Sequence, residues 1–113
     1  MNWNEQEMRA RFHRLENGAD AYSRQNRRLV KSESSKADSA RFSADHAAAE
    51  GDIYRYLRET DCLRSRESLL AELQRLKSSP MEPGAEVFDD ATYLAAFHTT
   101  VERLLKEFGA KKP

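Results

Sequence analysis

Three histidines, one cysteine and a cluster of cations have the most chemical reach in this chain. His46 with Glu50, and His98 with Glu102, stand four residues apart, so on a helix each pair shares a face and offers two ligand atoms. Metal sites in helical bundles ask for more. They take a carboxylate from each of two helices and a Glu-x-x-His pair from each of two others, and none of His13, His46 or His98 has a glutamate three residues before it. Solvated or salt-bridged roles are expected for these histidines, and no metal ligand is assigned. Cys62 lies near Asp61 and Arg64 with no histidine close by in sequence, which suits a half-buried structural thiol better than a nucleophile. The acid pair Asp89 and Asp90 reads as a helix start, where carboxylates face free N–H groups. Glycines 18, 51, 84 and 109 are scattered and build no phosphate loop. The expectation is a protein with no catalytic residue, no cofactor and no small-molecule substrate.

The stretch "SRQNRRLVK" is more suggestive. Arg24, Arg28 and Lys31 fall along one stripe of a helix, Arg27 borders it, and Arg9, Arg11 and Arg14 add charge earlier. Residues 9 to 41 hold nine Lys or Arg against Glu16, Asp20, Glu33 and Asp38, a local net of +5, although the whole chain carries 19 basic and 19 acidic residues and is neutral. A neutral total lacks the global field that draws small proteins to DNA or anionic membranes. Segregated charge can instead pair within the chain, across a dimer or with a protein partner. Nucleic acid is therefore the alternative partner, acting through Arg24, Arg27, Arg28 and Lys31 with an affinity that falls steeply with salt.

Helices must carry these groups. Ile53, Val30, Val87 and Val101 are the only Ile and Val among 113 residues, while Ala, Leu, Glu, Arg and Lys dominate, so the chain is expected to be all-α, a helical bundle or a long antiparallel helical hairpin with additional C-terminal helices. Met8, Phe12, Leu15, Ala19, Tyr22, Asn26 and Leu29 step by 4 and 3, a heptad seam with one polar member. At 1.5 Å per residue, a helix over about 4–32 would reach roughly 40 Å and needs an antiparallel partner or a second copy. Asn26 on that seam suits a register-setting core position, and the seam residues Met8, Phe12, Leu15, Tyr22, Asn26 and Leu29 predict a homodimer.

Residues 32–35 read as a turn, with Ser35 and Asp38 as a capping pair. A second helix over about 36–59 follows. Its small seam of Ala37, Ala40, Ala44, Ala47 and Gly51 faces the first helix, and Ile53, Tyr54, Tyr56 and Leu57 thicken its apolar side. Asp61 or Ser65 caps a third helix over about 65–77. The loop 78–89 contains "SSPMEPG", whose prolines and glycine end the third helix. A fourth helix over about 90–108 carries Leu94, Phe97, Val101, Leu104 and Phe108, and residues 110–113 form a polar tail.

With a single cysteine, no intrachain disulfide, no apolar run of membrane-spanning length and no expected leader in "MNWNEQEMRARFHR", a cytoplasmic protein without membrane contact is expected. The composition and seams favour a single-domain, non-enzymatic interaction protein, an adaptor, chaperone-like or inhibitory factor. Its contacts are expected at Arg24, Arg27, Arg28, Lys31, Tyr54 and Leu57.

Overall fold

The computed structural model describes residues 3–32 and 36–109, and among these it contains four α-helices and no strand. Helix α1 runs Glu5–Lys31, α2 Ala37–Glu59, α3 Arg66–Ser78 and α4 Asp90–Gly109. The sequence expectation for an all-α bundle is met, with helix ends within a residue or so of those expected. One element is additional: a 3-10 turn, Asp61–Arg64, joins α2 to α3 and buries Cys62 and Leu63.

Side chains fix the starts of α1, α3 and α4. The Asn4 side chain accepts from the Glu7 amide at 3.0 Å, and Ser65 rather than Asp61 opens α3, its Oγ accepting from the Ser68 amide at 3.1 Å. Asp89 opens α4 by accepting from both the amide and the hydroxyl of Thr92. Each supplies an acceptor to an amide that has no partner inside its own helix. Ser35 of the expected capping pair, the 33–35 part of the expected turn and the 110–113 tail lie outside the described residues. Asp38 pairs with Arg41 at 2.7 Å.

Helices α1 and α2 form an antiparallel hairpin. Ser23 reaches the Ala44 carbonyl near one end and Arg9 reaches the Arg58 and Thr60 carbonyls near the other. Small residues allow close approach: a Cβ on Gly51 would come within 2.5 Å of an Asp20 carboxylate oxygen and 3.6 Å of the Ala19 Cβ. Helix α4 lies along α2 in the same direction, tied by Asp45 to Phe88 and Asp89, Asp52 to Tyr93, and Arg103 to Tyr54. Helix α3 runs antiparallel to α4, with Leu70 beside Gly109 and Lys77 paired to Glu102 at 3.2 Å.

The core therefore occupies one half of a body measuring 49 × 27 × 26 Å. Phe12, Ile53, Leu57, Leu63, Leu69, Leu73, Leu76, Phe97 and Val101 are fully buried there. The Trp3 ring meets Phe108 edge-on at 6.0 Å and its N–H donates to the Leu63 carbonyl at 2.6 Å. In the other half α1 and α2 meet through Ser23, Asn26, Ala40, Ala44 and Ala47. No hydrogen bond or ion pair among the described residues ties residues 28–31 or 37–44 to α3 or α4. This end of the hairpin is hereafter the tip.

The heptad seam is rotated from the expected one. The buried stripe of α1 is Phe12, Glu16, Ala19, Ser23 and Asn26, while Tyr22 and Leu29 are exposed and Met8 and Leu15 are half-buried. The assignment of Phe12 and Asn26 to an oligomer seam is corrected: both lie inside the chain's own fold. Phe12 packs on Tyr54 and Phe108 at 5.8 and 6.2 Å. Asn26 donates to the Tyr22 carbonyl at 2.8 Å, so one of its side-chain N–H groups already has a partner within its own helix.

Candidate interaction surface

The cations singled out in the sequence take two different roles. Arg24, Arg28 and Lys31 are exposed, and their side chains make no ion pair or hydrogen bond among the described residues. Arg27 is engaged: its guanidinium donates to the Glu86 carbonyl at 2.6 Å and stacks over the Phe88 ring at 5.6 Å. It pins the 79–89 connection against the root of the tip.

Tyr54 and Leu57 are not surface residues, and their assignment as partner contacts is corrected. Tyr54 is 4% exposed and Leu57 is fully buried. The reason is that α2 is covered twice, by α1 on one side and α4 on the other, so the apolar thickening at its C-terminal end belongs to the core. Burial pushes the Tyr54 hydroxyl above its ordinary range, against the opposing charge of Arg103, which donates to it.

The exposed large apolar residues are elsewhere. Tyr22, Leu29 and Phe42, three of the five in the described chain, are on the tip, exposed by 53%, 37% and 58%. At about 100° per residue, Tyr22 and Leu29 share one edge of α1 and Arg24 and Lys31 share the opposite edge. Arg28 points away from α2. Phe42 comes from α2, on the turn before the point where α4 begins to cover that helix. The tip thus offers an apolar aromatic edge and a cationic edge.

A network of charges that sequence reading missed braces the root of this tip. Glu16 is 7% exposed and takes Arg58 at 2.8 Å, with Arg55 at 3.6 Å. Arg55 also pairs with Asp52 and lies 4.0 Å from Asp20. Burial alone would disfavour the Arg55 charge, but Asp52, Asp20 and Glu16 more than offset it and hold the guanidinium above its ordinary range. Asp20 is pushed the other way for a carboxylate: its desolvation outweighs the distant Arg55, so its carboxyl sits above the usual range. Asp52 also accepts from the Gly84 amide at 3.0 Å and the Tyr93 hydroxyl at 2.6 Å. Asp45, 1% exposed, accepts from the Phe88 and Asp89 amides at 2.9 and 2.7 Å.

The groups considered for catalysis are otherwise occupied. Cys62 is buried, its thiol close to the Thr60 hydroxyl and the Leu57 carbonyl, and burial raises its pKa, which disfavours the nucleophilic thiolate. His13 contacts Asn17, His46 approaches Glu50 at 3.8 Å, and His98 packs edge-on to Phe97. Among the described residues no three His, Cys, Asp or Glu side chains are grouped to hold a metal, and no helix is long and apolar enough to cross a membrane. Comparison with protein-family models, curated proteins and solved structures returns no match.

Proposed function

We propose that the chain is a non-enzymatic interaction protein that docks a second protein on its hairpin tip, as an adaptor, chaperone-like or inhibitory factor does. The observation that supports this most directly is the pairing on one projection of Arg24, Arg28 and Lys31, whose side chains make no hydrogen bond or ion pair among the described residues, with exposed Tyr22, Leu29 and Phe42. Exposed aromatics are enriched at protein interfaces, where they give area at low entropic cost, and neighbouring cations steer an acidic partner. Nucleic acid is a second reading, favoured by the same three cations. The protein reading is preferred because those cations share the tip with apolar side chains and with Asp38. Self-association, expected from the heptads, has Tyr22 and Leu29 to use in place of the buried seam members.

The experiment compares the wild-type chain with R24E/R28E/K31E, first by sedimentation equilibrium alone and with a mixed-sequence duplex at low and physiological salt. Affinity capture by the two chains follows. The expected result is indifference to the duplex, and a set of captured proteins that the variant loses although its helical circular dichroism is unchanged. Salt-dependent binding of the duplex that the variant loses would replace the protein reading with the nucleic-acid one. Sedimentation at the 13.0 kDa monomer mass over tens of micromolar would remove the dimer.

A further inference from the structure

Where the apolar edge of the tip meets the part of α2 that α4 covers, Tyr22, Phe42, Ser43, His46, Ala47 and Glu50 line a shallow cleft of about 230 Å³. Phe42 and His46, four residues apart on α2, form one wall, their rings 5.9 Å apart and inclined at 44°. Tyr22 comes from α1 and makes no ring contact among the described residues. Phe42 and His46 pack on each other, yet Phe42 remains 58% exposed and Tyr22 53% exposed, so both rings keep accessible surface at the cleft.

The remaining polar group is a carboxylate. Glu50 is recessed, with 22% of its side chain exposed, and the His46 imidazole approaches it through Nδ1 at 3.8 Å and the Arg103 guanidinium at 3.5 Å. Neither distance is that of a strong charge-assisted hydrogen bond, which runs about 2.7–2.9 Å. Arg103 gives its shorter contact to the Tyr54 hydroxyl instead, and Arg41, the nearby cation on α2, is held by Asp38 at 2.7 Å. The carboxylate keeps acceptor capacity toward the cleft.

Aromatic faces and a recessed carboxylate select among guests. The negative faces of the rings attract a cation, and the carboxylate completes its coordination. A purely aliphatic guest would desolvate Glu50 without replacing its hydration, and an anion would meet its charge. We propose that this cleft binds a cationic side chain, a lysine or arginine presented by the protein partner. The inference rests on the tip being the docking surface and names the anchor that its apolar edge takes.

The test titrates the full chain with a short capped peptide of glycines around one lysine, and with its counterpart carrying norleucine, which keeps the aliphatic stem and lacks the ammonium. Ring resonances of Tyr22, Phe42 and His46 are followed by NMR. The lysine peptide should shift all three, and the norleucine peptide should bind at least roughly five-fold more weakly, the upper end for an exposed cation–π contact. Phe42→Ala should weaken lysine binding by about two- to five-fold on the same basis, and Glu50→Gln by at least about as much. Equal binding of the two peptides, no ring shifts with lysine at concentrations on the order of 10 mM, or lysine binding untouched by F42A would each overturn the proposal. F42A alters an exposed side chain and keeps the test valid if E50Q disturbs the fold. Because the titration reads the cleft alone, it fails or succeeds independently of partner capture by the cationic edge.

Discussion

The two halves of the α1–α2 hairpin use the same pair of helices and opposite kinds of burial. Toward the 3-10 turn, Phe12, Ile53, Leu57 and Leu63 are fully buried and joined by Leu and Phe residues of α3 and α4. Toward the tip, the buried residues are Ser23, Asn26, Ala40, Ala44 and Ala47, and the large side chains Tyr22, Leu29 and Phe42 face outward. A fully buried Leu or Phe contributes about 1.5–3 kcal/mol relative to exposure, whereas alanine has little surface to withdraw from water. The core half can hold a fold together, while the tip borrows its helicity by continuity from it. Isolated helices shorter than about 12–15 residues are marginal in water, and the α1 segment after Tyr22, ending at Lys31, is shorter than that. The large apolar groups of the tip are thus left exposed, and the stability of the fold does not depend on them.

That contrast is broken or sharpened most strongly by truncation on each side. Leu57→Ala should cost about 2–5 kcal/mol by removing fully buried atoms between three helices, whereas Phe42→Ala should stay within about 0.5 kcal/mol, both read from urea unfolding. Comparable losses from the two would mean that the tip is part of the core. Next in size, Asp45→Ala leaves the Phe88 and Asp89 amides without their acceptor and should cost about 1–3 kcal/mol. Amide exchange should quicken first at residues 88–93, and a loss of protection confined to the tip would contradict the assignment of Asp45 to the start of α4. A third change gives a gain. Gly18 lies mid-helix on the exposed side of α1, and a Cβ added there would meet nothing within 4 Å, so Gly18→Ala should stabilise by about 0.5–1 kcal/mol through helix propensity. Slower exchange at tip amides would show that α1 carries stability from one half to the other.

Much of the architecture was legible because it rests on local chemistry. Alanine and leucine content predicted helices, the prolines of "SSPMEPG" predicted the end of α3, and Ser65 and the Asp89–Asp90 pair marked helix starts that the structure bears out. Of the expected small seam, Ala40, Ala44, Ala47 and Gly51 are buried, Ala44 and Gly51 directly against α1, while Ala37 is only half-buried. What could not be read was burial of polar groups by distant partners. Glu16 and Ser23 look like surface residues until Arg58 and the Ala44 carbonyl arrive from 42 and 21 residues away, and without them the stripe through Leu15 and Tyr22 looks like the better seam. Asp45 likewise resembles any solvated acid of an alanine-rich helix until residues 88 and 89 fold onto it. Tyr54 and Leu57 were misplaced for the converse reason: nothing local in α2 announces that α4 covers it. The exposure of Arg24, Arg28 and Lys31 was visible in the spacing, but the engagement of Arg27 required the 79–89 connection.

Asp45 and Arg27 stand at one level of the molecule, each gripping the connection just before α4, one from α2 and one from α1. Seen as a mechanical part, the hairpin is a lever, and this pair of grips is its fulcrum. A force that bent the tip would bear on the hydrogen bonds at Glu86, Phe88 and Asp89, and through them on the N-terminal turn of α4.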